Sequence, residues 1–271
     1  MNLLEAYIAC RDLRSIWGRS LKSIIPASHR NNTIVPYEFE GNPVVNGVYR
    51  AGTIIIIKAG EYRIAMVMNK GAAISLSLDV RHLPLEFYAA IAFTNDSYLC
   101  YLDNQIDRCG ISAYKCGMIP DVYRNMGHDL FDVRFTSEYL KQKLCGYKKG
   151  KECVLTYFLL DTTVCAHIDP SYLSEGLFTA NINPNITIKK LLALPVLDEV
   201  LNIIIRGMRF AYSRGLDCFY DGGRKVEVDS LFLVNGRGGD ACTVCGTKIN
   251  CFLGIFWCPE CQAEGALCNG V

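Results

Sequence analysis

Residues 242–261 read CTVCGTKINCFLGIFWCPEC, with two Cys-x-x-Cys pairs separated by twelve residues. The two-residue spacing lets both thiolates of a pair reach one tetrahedral ion from a tight turn. Four thiolates fill the coordination sphere of zinc and leave no position for water, so such a metal is structural rather than catalytic. The segment therefore predicts a zinc ribbon in which Cys242, Cys245, Cys258 and Cys261 hold one Zn²⁺.

The composition of the chain is that of a folded protein, with 51% hydrophobic and 20% charged residues among 271. Lys and Arg number 28 against 27 for Asp and Glu, so the net charge of +1 lacks the basic excess of most nucleic-acid-binding proteins. The polar start argues against a secretory signal, and no apolar run is long enough to span a membrane. We therefore expect a cytoplasmic protein without membrane contact, whose cysteines outside the ribbon are small apolar side chains.

Apolar periodicity predicts a helix over residues 3–17, with Gly18 as its C-terminal cap. Short apolar or alternating runs follow at a spacing of about ten residues, bounded by Gly, Asn and Asp. This spacing favours an antiparallel β-sandwich. The predicted strands cover residues 44–48, 53–57, 63–68, 74–78, 88–93 and 98–102.

The second half of the chain has helical patterns. Thr136 or Ser137 is expected to cap one helix, whereas residues 154–160 fit either a strand or a buried helix. Pro195 interrupts a later helical stretch because it lacks a backbone donor. The helices on its two sides are predicted over residues 186–194 and 196–212.

Together these patterns predict an α+β fold. An N-terminal helix and an antiparallel β-sandwich are expected over residues 1–120, and a connector with a helical region over 121–229. The zinc ribbon is expected over 230–271.

The segments around the four cysteines, 242–249 and 258–262, are similar to the C-terminal zinc finger of the formamidopyrimidine-DNA glycosylase and endonuclease VIII family. Four further segments resemble motifs of that family and occur in the same order along the chain. They are residues 49–52, 102–103, 127–130 and 234–239. The resemblance implies the same order of helix, sandwich, helices and ribbon. It also implies excision of damaged bases and cleavage of the resulting abasic site.

The N-terminus departs from the family pattern. Family members use an N-terminal proline amine as a Schiff-base nucleophile, helped by an adjacent Glu that moves protons. This chain begins Met1-Asn2-Leu3-Leu4-Glu5 and has neither residue in place. Since Asn2 cannot act as a base, the amine of Met1 and the carboxylate of Glu5 are the candidate catalytic groups.

The family's DNA contacts are also reduced. The resemblance leaves Met68, Arg108 and Lys189 as candidate DNA-binding residues. A family lysine is replaced by Thr53, and the tip of the finger, residues 252–255, contains no arginine.

The family's helix–two-turn–helix is predicted to be truncated. Ile188–Leu192 resembles its first helix, but the phosphate-binding Gly-Ile-Gly-Asn turn is not recognisable after it. Asn202 is the only remnant that can be suggested for the turn's asparagine.

These departures predict a zinc-containing, DNA glycosylase-like protein that is catalytically degenerate, a pseudoenzyme acting by binding. Its expected partner is damaged DNA, bound weakly, or a small molecule or protein. The alternative is an active base-excision-repair DNA glycosylase/AP lyase with a non-proline N-terminal nucleophile.

Overall fold

The computed structural model describes residues 3–27, 36–67, 72–84, 87–102, 110–116, 125–220 and 232–263, with 3–5 and 215–220 described for the backbone only. The chain forms two compact units, Met1–Asn125 and Met126–Val271. The finer division into three domains stays a prediction. In the described residues, no helix is both long enough and apolar enough to cross a bilayer.

The first unit begins with α1 (Leu3–Asp12), followed directly by a 3₁₀ turn at Leu13–Ile16. The helix predicted over residues 3–17 therefore tightens in its last turn, as helix ends often do. Gly18 has a φ of +81°, and its amide donates to the Val45 carbonyl at 2.9 Å. This left-handed φ favours glycine and ends the helix, as predicted.

In the described part of this unit, nine strands form two antiparallel sheets with the orders β2-β1-β7-β8-β6 and β3-β4-β5-β9. Buried side chains of both sheets, among them Ile24, Ile57 and Ile91, share one hydrophobic core. The predicted antiparallel β-sandwich is therefore confirmed. The strands are β1 (Leu21–Pro26), β2 (Tyr37–Glu38), β3 (Val45–Ala51), β4 (Ile54–Ala59), β5 (Tyr62–Val67), β6 (Ala73–Ser77), β7 (Ala89–Phe93), β8 (Tyr98–Leu102) and β9 (Ile111–Lys115).

Three of these strands, β1, β2 and β9, have no counterpart in the sequence-based prediction. A bulge between Leu21 and Ser23 places the buried residues Leu21 and Ile24 three positions apart. That spacing conceals the alternation by which a strand is recognised. The edge strand β9 buries only Ile111, and β2 has two residues, so neither produces a detectable pattern.

The described residues of the second unit form five helices and a β-hairpin. Thr136, rather than Ser137, caps α2, because its side chain accepts a hydrogen bond from the Tyr139 amide at 3.2 Å. Residues 154–160 contain a buried helix rather than a strand. The elements are α2 (Ser137–Cys145), α3 (Leu155–Leu159), α4 (Pro170–Thr179), α5 (Ile188–Leu192), α6 (Leu197–Tyr220), β10 (Asn250–Phe252) and β11 (Ile255–Trp257).

Helix α4 is buried along most of its length and packs closely on α6. A Cβ added to Gly176 would lie 2.7 Å from the Met208 Cα, and one added to Gly207 would lie 2.4 Å from the Gly176 carbonyl oxygen. Both glycines are therefore required where the helices cross. The rings of Tyr172 and Tyr212 stack at 4.1 Å beside this crossing.

The helix predicted at Ile188–Leu192 is α5, and turns separate it from α6. A helix, two turns and a second helix also occupy α3, residues 160–169 and α4. Within the turns, His167 has a φ of +53°, a conformation usually taken by glycine. Residues 160–169 contain no glycine, so the sequence does not mark these turns.

Candidate functional site

The four predicted ligand cysteines lie together at the base of the β10–β11 hairpin. Their Sγ atoms all lie within 4.8 Å of one another. The Cys245–Cys258 pair is separated by 3.4 Å and the Cys242–Cys261 pair by 3.9 Å. A tetrahedral zinc with bonds of about 2.3 Å requires sulfur–sulfur separations near 3.8 Å. The thiols therefore fit one metal ion.

Backbone amides support this ligand set. The Val244 amide donates to Cys242 Sγ, and the Cys261 amide donates to Cys258 Sγ, each at 3.4 Å. Gly246 follows the first pair with a φ of +78°, and its amide donates to the Cys242 carbonyl at 2.9 Å. These knuckle turns direct N–H dipoles at the sulfurs, which stabilises negative charge on them.

The thiols differ in acidity before a metal binds. Hydrogen bonds from Thr247 lower the pKa of Cys245 to about 6. Burial raises the pKa values of Cys258 and Cys261. Since only thiolates ligate a metal, binding must displace the protons of Cys258 and Cys261.

The ribbon is anchored on α4 by polar side chains that the sequence does not single out. Glu175, which is buried, accepts hydrogen bonds from the amides of Leu233, Val234 and Asn235 at 2.8–2.9 Å. Ser174 Oγ accepts from the Phe256 amide at 3.1 Å.

On the ribbon side, Gln262 completes the anchor. Its Nε2 donates to the Ile182 carbonyl at 2.7 Å, and its Oε1 accepts from the Cys258 amide at 2.9 Å. A ligand cysteine is thereby fixed relative to the helices. In the sequence, the Asp169-Pro170 pair indicates the start of α4, because Asp is a favoured N-cap and Pro is favoured at the first helical position.

The start of α4 lies where a helix–two-turn–helix presents amides. Asp169 Oδ1 accepts from the Ser171 amide at 2.8 Å, and the Asp169 amide donates to the Tyr212 hydroxyl at 2.9 Å. Pro170 has no amide hydrogen. The positive end of the helix is therefore already capped by a carboxylate of its own chain.

Few of the other predicted site residues lie in the described structure. Lys189 is exposed, and its Nζ lies 3.2 Å from Glu152 Oε1. Met1, Met68 and Arg108 lie outside the described residues, and Glu5 belongs to α1 but its side chain is not described. Their roles stay predictions.

The tip of the β10–β11 hairpin carries apolar side chains. Phe252 is 59% exposed and Leu253 is 67% exposed, so both are open to solvent. A tip of this kind supplies no charge for a phosphate.

Comparison with known proteins identifies relatives of the chain, although no family model matches it. A formamidopyrimidine-DNA glycosylase of Prochlorococcus marinus (strain MIT 9313) is 30% identical over 147 residues, which are 51% of this chain and 49% of that protein. The enzyme of the same name from Aliivibrio fischeri (strain MJ11) is 23% identical over 257 residues, covering 90% and 91%. The predicted resemblance to the formamidopyrimidine-DNA glycosylase family is confirmed. The match spans about half the length of the first of these relatives.

The fold of the family is also present. The Lactococcus lactis formamidopyrimidine-DNA glycosylase, solved non-covalently bound to DNA containing an AP site, superposes with a TM-score of 0.74 at 19% identity. The match covers 97% of this chain and 100% of that one.

Proposed function

We propose that this chain is a zinc-containing, DNA glycosylase-like protein that acts by binding and does not excise bases. The observation that carries the proposal is the start of α4, where Asp169 and Pro170 stand in the turn that holds phosphates in the family. A carboxylate there repels a phosphate and uses an amide that would otherwise bind it. The second half of the proposal, loss of catalysis, rests on the absence of a proline and a Glu at positions 1–3.

Zinc is the metal proposed for the four cysteines, because soft thiolates in a tetrahedral set favour it. Bound there, it would supply structural cross-linking rather than chemistry, since all four positions are taken by sulfur.

DNA is the proposed partner, on the strength of the family and of structural neighbours solved with damaged DNA. The contacts available to the phosphates are few. Lys189 is already paired with Glu152, and the hairpin tip is apolar. Because affinity rises steeply with the number of phosphates neutralised, binding should be weak. The proposal also includes a small molecule or a protein as the bound partner.

Binding to an abasic-site duplex at physiological salt is expected to have a Kd of about 10⁻⁵ M or higher, the range of non-specific binding. Asp169→Asn keeps an equally good helix cap and removes the negative charge, so it should tighten binding by about threefold. Fluorescence anisotropy with a labelled duplex measures both.

The matched control is Asp198→Asn, which removes a carboxylate from the first turn of α6 instead. It should leave the affinity close to that of the wild type. Nanomolar binding by the wild type, or the same gain in both variants, would contradict the role given to Asp169.

No covalent adduct is expected when the protein is incubated with an abasic-site duplex and borohydride. An N-terminal amine has a pKa of about 7.7–8.0, so a fraction is neutral and nucleophilic at pH 7. Proton transfer is the obstacle, because Asn2 cannot supply it and the loss of a positioned acid or base typically costs 10²- to 10⁴-fold in rate. Gel electrophoresis of the trapped mixture, with an active family enzyme alongside, is the measurement.

The second function is an active DNA glycosylase/AP lyase that uses the Met1 amine and Glu5. Similarity to the family over nine-tenths of the chain favours it. It requires a trapped adduct that disappears both in Glu5→Gln and after the amino terminus is blocked. An adduct with those properties would replace the binding proposal.

A further inference from the structure

A cavity of about 440 Å³ lies in the second unit, between the turn that precedes α2 and one face of α6. Its volume falls within the range of small-molecule sites in proteins. Nothing in the DNA-binding proposal uses it. The lining residues are Phe131, Val133, Phe135, Thr136, Asn202, Ile205, Arg206 and Arg209.

Arg209 is fixed in this cavity by backbone carbonyls. Its Nε donates to the Leu130 carbonyl at 3.0 Å, and its Nη2 donates to the Phe135 carbonyl at 3.1 Å. Among the described residues, Nη1 has no hydrogen-bond acceptor and no carboxylate pairs with the guanidinium. The charge is therefore held rigidly in place without being neutralised.

Arg206 lies one turn earlier on α6 and is exposed at the mouth of the cavity. Its neighbours four residues away are Asn202 and Phe210, neither of which is acidic. On the facing turn, the Asp132 carboxylate is engaged by Arg134 at 2.6 Å. In the described structure, both guanidinium groups of the cavity lack an anionic partner.

The rest of the wall is apolar. Phe135 and Ile205 are buried, whereas Val133 is 89% exposed and Phe131 is half-buried. A ligand that covered Val133 and Phe131 would remove apolar surface from water, which is favourable at about 25 cal/mol per Å².

We propose that this cavity binds a small organic carboxylate whose body is aromatic or branched aliphatic. The planar carboxylate matches the donor geometry of a guanidinium, and Arg206 with the free Nη1 of Arg209 receives it. The apolar body lies on Phe131 and Val133. A nucleic-acid phosphate fits less well, because its polar surroundings would have to lie against these apolar side chains. The inference does not depend on DNA binding.

The test is a calorimetric titration of the full chain with 4-phenylbutyrate, and with 4-phenylbutan-1-ol as the uncharged probe of the same shape. For a probe of this size we expect a Kd of about 1 mM for the acid and binding at least about tenfold weaker for the alcohol. Arg206→Gln should weaken the acid about tenfold and leave the alcohol unchanged. Val133→Glu, at an exposed position that does not endanger folding, should also weaken the acid.

Arg14→Gln removes the same charge from an exposed position in the first unit and should leave the titration unchanged. Equal binding of acid and alcohol, or an undiminished affinity in Arg206→Gln, would overturn the proposal. So would displacement of the acid by an equimolar duplex oligonucleotide, because the cavity would then be a phosphate site. Absence of any heat from the acid would overturn it as well.

Discussion

Cys258→Ser is expected to release the bound metal and unfold the ribbon, while the helices α2 to α6 remain folded. The free energy of metal binding at such a site is folding free energy, with apparent values of about 10–16 kcal/mol for structural zinc in zinc-finger peptides. A serine hydroxyl does not replace the thiolate. Native mass spectrometry should show one Zn²⁺ in the wild type and none in the variant, and hydrogen exchange should show loss of protection at β10 and β11.

Cys251→Ser is the matched control, because Cys251 is an exposed thiol in the same hairpin and is not a ligand. It should retain one zinc ion and the protection of the wild type. Two outcomes would contradict the site: folded wild-type protein without metal, or Cys258→Ser with a full equivalent of metal.

Loss of the metal should also expose a small core. Val234, Ile249 and Cys258 are buried together with Phe178 of α4. This cluster is too small to keep the ribbon folded by itself, since isolated short hairpins are marginal in water. The metal therefore supplies the folding free energy that these apolar contacts cannot provide.

The sequence predicts those features that depend on residues close together in the chain. The ligand cysteines are given by spacing alone, because two-residue separations and tight turns are local properties. The hydrophobic strands β4, β7 and β8 were found for the same reason. The strand β1 was not, because its bulge displaces Ile24 from the alternating pattern.

The turns between α3 and α4 are hard to recognise in the sequence for a physical reason as well. They contain no glycine, and His167 takes the left-handed conformation there. Glu175 of α4 is buried because its carboxylate binds the amides of Val234 and Asn235, which lie about 60 residues later in the chain. The periodicity of apolar residues does not reveal hydrogen bonds between segments so far apart in the chain.

Glu175→Ala is expected to destabilise the second unit by about 3–5 kcal/mol. Glu175 is 3% exposed; its Oε1 accepts from the Val234 and Asn235 amides and its Oε2 from the Leu233 amide. Alanine leaves these three amides without an acceptor, at a cost of about 1–3 kcal/mol for each that stays buried.

Glu175→Gln separates the loss of bonds from the loss of side-chain volume. Its single carbonyl oxygen can accept from Val234 and Asn235, but its NH₂ group faces the Leu233 amide, so we expect a loss of about 2 kcal/mol. Glu138→Ala, at an exposed site on α2, should change stability by less than about 0.5 kcal/mol. Urea unfolding gives the three values, and hydrogen exchange at residues 233–235 reports the anchor itself. If Glu175→Ala matched Glu138→Ala, the ribbon would be held to α4 by the apolar cluster around Phe178 and not by the carboxylate.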